Sequence, residues 1–180
     1  MSELKKSRLE VQAILKSCIE NGLAFMQRTG WAVMEFANAS FQRADKVVLM
    51  RLIGSHRVGW QATSHSLHDG NLIARDEWIE EQHWQIHCVC KRKQSATPND
   101  EFPEDACSDL VTWFNGRGCD ELRTHRMANL RIDSDSIFVY TDNSDLYQKR
   151  AVFTVKIIVP KEVSAGEIEL DALVPKIYPV

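Results

Sequence analysis

Residues 105–160 set two short helical patterns directly before two apolar strands, and this order leaves few folds open. Cys107, Leu110, Val111 and Phe114 fall at i, i+3, i+4 and i+7, so one stripe of a helix is apolar. Pro103 suits the first turn of that helix, and Glu104 and Asp105 complement its dipole. Gly116 and Gly118 are expected to end it, and residues 120–127 provide two further turns. Residues 130–132 and 137–140 then read as extended. Residues 151–159 form the strongest strand pattern, with Phe153, Val155, Ile157 and Val159 on one side and Pro160 expected to close it.

The preceding half carries the same kinds of element. Residues 3–28 predict an amphipathic helix along Leu4, Val11, Ile14, Leu15, Cys18, Ile19 and Leu23, with Ser2 as its N-cap, Gly22 weakening its end and Gly30 stopping it. Residues 47–53, starting just after Lys46, are rich in β-branched and aliphatic residues and apolar on both faces, which predicts a buried strand. Gly54 and Gly59 predict a bulge or kink just beyond that strand. Asp69-Gly70 reads as a hairpin turn into a strand over 77–91. On that strand Trp84, Ile86, Cys88 and Cys90 share one face. Residues 94–105 read as a loop internal to the domain, 168–173 as a weak edge strand, and 31–45 match no pattern. The expectation is one domain over residues 1–180. It is α/β in the α+β sense: a mixed, mostly antiparallel curved sheet with a long hairpin, packed by an N-terminal helix and a central helix pair.

Charge and cysteine usage exclude several functions. The chain has 180 residues and a formal net charge of -3, unlike a surface built to hold nucleic acid. It contains no run of 18 apolar residues, so no membrane span is expected, and its charged N-terminus is not expected to be a signal peptide. Five cysteines, odd in number and scattered, argue for a reducing compartment rather than a disulfide framework.

No motif supplies chemistry. Cys88 and Cys90 alternate on a strand, which holds their positions about 7 Å apart, and His87 points the other way. No second compact pair completes a zinc set, so buried apolar cysteines are the simpler reading and no metal is expected. Six histidines are present, without a nucleophile elbow, a His-Glu-x-x-His pattern or a glycine-rich phosphate loop. His56, His65, His68 and His83 fall in or near the hairpin, where exposure is the ordinary state. No catalytic residue and no cofactor are expected; the alternative from a different class is a small Cys or Ser hydrolase with a distant His. Lys91-Arg92-Lys93 reads as a solvated strand end. Trp84 and Trp113 fit core faces, whereas Trp31, Trp60 and Trp78 are candidates for a subunit interface.

Several stretches carry a family resemblance: Trp84-Gln85-Ile86-His87-Cys88, the helix from Cys107 to Asn115, Leu122, Asn129-Leu130-Arg131-Ile132, Asp145-Leu146-Tyr147-Gln148-Lys149-Arg150 and Phe153-Thr154-Val155-Lys156-Ile157. In order and character they resemble the tail-terminator (neck) proteins of tailed bacteriophages. The resemblance implies a small α/β domain that assembles as a homohexameric ring. Such a ring caps the finished tail tube and docks the neck or connector protein, and DNA passes through it without sequence-specific binding. It implies a virion protein of the tail-neck junction, present in host cytoplasm during assembly, with no cofactor and no catalysis. A mildly acidic chain suits a conduit that must not grip DNA. The contact regions expected are the hairpin tip, Asp69, Gly70 and Asn71, and the polar loop with Asp142, Asn143, Asp145 and Tyr147. A neighbouring neck or tail-completion adaptor is the alternative within the structural class.

Overall fold

A computed structural model describes residues 7–35, 45–68, 71–92, 102–141 and 147–168. The first helix, α1, spans Arg8–Phe25 and starts at a capping box: Ser7 Oγ accepts from the Glu10 N–H, and the Glu10 carboxylate accepts from the Ser7 N–H. The cap is therefore Ser7 and not Ser2, because only Ser7 has a Glu three positions on; Ser2 lies outside the described residues. Val11, Leu15, Cys18, Ile19, Gly22 and Leu23 form the buried stripe. The helix stops before Gly30: Gln27 takes a left-handed φ of 58° and the Arg28 N–H returns to the Leu23 carbonyl at 2.8 Å.

Two shorter helices complete the layer, α2 over Pro103–Phe114 and α3 over Arg117–Thr124. In α2 the buried stripe is Ala106, Leu110, Trp113 and Phe114, with Cys107 and Val111 half-buried at its border. Gly118 is not a stop. It lies inside α3, where its lack of a side chain admits the Trp113 indole. Arg28 donates to Asp109 at 2.7 Å and Asn21 to Glu121 at 2.8 Å, tying α1 to both partners.

Five strands form one curled sheet in the order β1-β2-β3-β5-β4: Ala32–Glu35, Lys46–His68, Asn71–Arg92, Tyr147–Ile168 and Ala128–Thr141. β1 pairs parallel with β2 and every other pair is antiparallel, so the fold is α+β as expected. The parallel strand β1 arises from the stretch that matched no pattern; four residues are too few for a period to show. The hairpin β2–β3 is confirmed by the pair His68–Asn71. Bulges fall where Gly54 and Gly59 predicted them, between Leu52 and Gly54 and between Val58 and Ala62. Gly59 has φ +79°, which side-chain-bearing residues rarely adopt.

The helices cover one face. Val48 and Met50 of β2, Trp84, Ile86 and Cys88 of β3, and Phe153, Val155, Ile157 and Val159 of β5 meet α1, α2 and α3 there. Phe114 and Phe153 pack with ring centroids 6.2 Å apart. A smaller apolar cluster occupies the opposite face, Val47, Leu49 and Val89 with Ala32 and Met34. Together the two clusters explain why 47–50 is apolar at consecutive positions. Pro160 does not close β5, which runs on to Ile168. Beyond Ile158 no described strand pairs with β5 on the β4 side, and an edge position tolerates the missing N–H. Among the described residues no helix is long and apolar enough to cross a membrane.

Candidate functional site

The strands outrun the helices. The helix layer ends near Val159 and Gln82, both buried, but β2, β3 and β5 continue to His68, Asn71 and Ile168. We call this three-stranded extension the arm. In β2 the side chains at 55–59 and 61–65 are exposed at consecutive positions, hence on both faces. Both edges of the arm lack a strand neighbour among the described residues, since β1 pairs only as far as Met50 and β4 only as far as Ile158. Unpaired N–H and C=O groups along such edges are templates for another chain.

A polar ladder marks the join of core and arm. The buried Trp84 indole donates to Gln82 at 3.0 Å, and Gln82 donates to Glu80 at 2.8 Å. Ser55 also donates to Glu80, and the Lys161 ammonium stands 3.9 Å away. Burial acts to raise the Glu80 carboxyl, but these hydrogen bonds, with Lys161 and Arg57 nearby, hold it below its ordinary value. Further out Arg57 stacks over Trp78, 4.5 Å from its ring centroid.

The opposite face of the arm is apolar in part. Val58 and Ile79 are directly paired, and Pro160 continues their line across β5. Val58, Ile79 and the bulge residue Ile53 are exposed, Ile79 to 45%. Beside this line His56, Glu81 and His83 converge, with ligand-capable atoms within 4.8 Å of one another. His83 Nε2 lies 2.5 Å from Glu81 Oε1 and His56 Nε2 3.9 Å from Oε2. The hydrogen bond from His83 holds the Glu81 carboxyl low, against burial, and the His56, His83 and Lys156 charges add to it. Sequence spacing alone does not bring His56 to Glu81 and His83; the register shift between Leu52 and Gly54 decides which strand face His56 occupies.

The expected contact residues fall at two ends. Asp69 and Gly70 lie outside the described residues, bracketed by the pair His68–Asn71, and Asn71 opens β3. Asp142, Asn143 and Asp145 also lie outside them, while Tyr147 opens β5 opposite Arg92. Asn71 and Arg92 are the two ends of β3, a span of roughly 70 Å at strand rise. The two regions are therefore not one site.

Of the tryptophans, Trp84 and Trp113 are buried, Trp31 packs partly on the core, and Trp78 lies under Arg57. The side chain of Trp60 lies outside the description. Cys88 and Cys90 are buried as the alternation required. Contact with the Cys107 thiol, together with burial, raises the Cys88 thiol. Burial pushes Cys18 up to about 12, offset only partly by the Trp113 indole N–H. His87 is buried and its Nε2–H donates to Gln85 Oε1 at 2.9 Å; burial, with Arg150 and Arg51, lowers it to about 4. No protein-family model matches this sequence, and no curated protein matches it.

Proposed function

We propose that this chain is a structural virion protein, a tail terminator that caps the tail tube of a tailed bacteriophage as a homohexameric ring. The observation that carries the reading is the arm. Among the described residues it presents two strand edges without a strand neighbour and an exposed apolar line at Val58 and Ile79, a surface that suits cover by another copy. A cyclic ring requires two different patches on each subunit, and an arm reaching over a neighbour's core supplies them. The helix pair on a curled sheet agrees with the fold that the family resemblance implies. Asn71 and Tyr147, one from each expected contact region, stand at opposite ends of β3, which suits one region for the tube and the other for the neck or connector.

The mechanism is binding. The ring stops tube growth by occupying its last face and offers its other face to the neck, and DNA passes through the hole without sequence-specific contact. Purified chain added to tail tubes of the same phage tests this. The reading expects density for six copies at one tube end in electron micrographs. Bare ends at saturating protein would overturn it.

A further inference from the structure

We propose that His56, Glu81 and His83 form a surface site for one divalent transition ion of the zinc class, bridging β2 and β3 on the face of the arm away from the helices. Two imidazoles and one carboxylate are a ligand set that zinc and its neighbours accept, with an open fourth position for water. The three residues hold fixed places in the sheet. Glu81 and His83 are two apart on β3 and therefore share a face, and His56 is the direct partner of Glu81.

The bulge at Ile53 creates this arrangement. Leu52 pairs with Trp84, and without a bulge that register would set His56 opposite Glu80 on the helix side. The extra residue shifts the register by one, turns His56 to the far face and sets it opposite Glu81. Gly54, the partner of His83, leaves the imidazole room: a Cβ there would meet only His83 Nδ1, at 4.0 Å.

The distances suit an ion after small side-chain turns. Ligand atoms about 2.0–2.1 Å from a tetrahedral zinc lie roughly 3.3 Å apart. The Glu81 carboxylate meets both imidazoles, Oε1 at 2.5 Å from His83 and Oε2 at 3.9 Å from His56, on either side of that spacing. The two rings already meet edge to face, with centroids 5.4 Å apart. Lys156, the β5 partner of His83, places a competing cation on this surface, which argues for modest rather than tight affinity. Occupancy would clamp the arm across its first bulge.

Cobalt(II) titration of untagged full-length protein, followed by its visible d–d absorption, tests the site. One equivalent should bind with the spectrum of a nitrogen and oxygen ligand set, and zinc should displace it. His56→Ala, at an exposed position, should leave the circular dichroism and melting unchanged. That substitution and Glu81→Gln should each weaken binding at least about tenfold, since loss of even an outer-shell partner costs that much. The same affinity in His56→Ala, a thiolate-to-cobalt band, or no binding by the wild type would overturn the proposal.

Discussion

The Trp113 indole occupies the space that a side chain at Gly118 would need: a Cβ built there would stand 2.6 Å from Nε1. From the other side Gly22 of α1 approaches the same ring, its Cβ position 2.8 Å from Cδ1. Trp113 thus pins α1 and α3 to α2, and Phe25 closes the contact with its ring centroid 5.4 Å away.

Gly118→Ala is therefore expected to destabilise the fold. Alanine gains up to about 1 kcal/mol of helix propensity over glycine, but overpacking a buried ring costs about 1–3 kcal/mol. The atoms in the way are the ring and the Trp113 carbonyl, 3.0 Å off, neither of which is a flexible tip, so the loss wins. Urea unfolding measures the sign, and an increase in stability would contradict this packing.

Stability should fall with mild acid through His87. Its folded value of about 4 lies below the ordinary 6.5, so the unfolded chain binds more protons between them. The contribution is whole above pH 6.5 and is lost as pH drops to about 4, on the order of 3 kcal/mol in all. His87→Gln should flatten this window in urea titrations. Losses at lower pH belong to Glu80 and Glu81, whose carboxyls are held low.

Thiol labelling should follow burial. Cys18, Cys88 and Cys90 are buried while Cys107 and Cys119 are partly exposed, so native protein should take maleimide only at the last two. Denatured protein should take it at all five. Peptide mass spectrometry assigns the sites; rapid native labelling of Cys88 would contradict the packing of β3 against α2.

Ile79→Lys should separate folding from assembly. The side chain is 45% exposed, so the monomer should change in stability by less than about 0.5 kcal/mol. A charge in the apolar line of the arm should nevertheless abolish ring formation on tail tubes. Equal binding by variant and wild type would remove the arm from the interface.

Much of the core was legible because its periods are long. Trp84, Ile86 and Cys88 alternate as a strand must, and Leu110 and Phe114 repeat as a helix must. Glycines 54 and 59 announced the bulges. What stayed hidden depends on register. One extra residue at position 53 decides whether His56 meets Glu80 or Glu81, and no local pattern carries that difference. Pro160 looked like a strand end because its neighbours in space were unknown; with no described strand paired beside it on the β4 side, its missing N–H costs little. Gly118 looked like a helix stop because the approach of Trp113 is a tertiary fact.

An electron cryomicroscopy map of the phage neck at side-chain resolution would show whether the chain self-assembles through the arm. The expected result is a six-fold annulus of this chain between tube and connector, with Val58 and Ile79 of each copy buried on its neighbour. A neck without that annulus, or an annulus whose arms stand free in solvent, would contradict it.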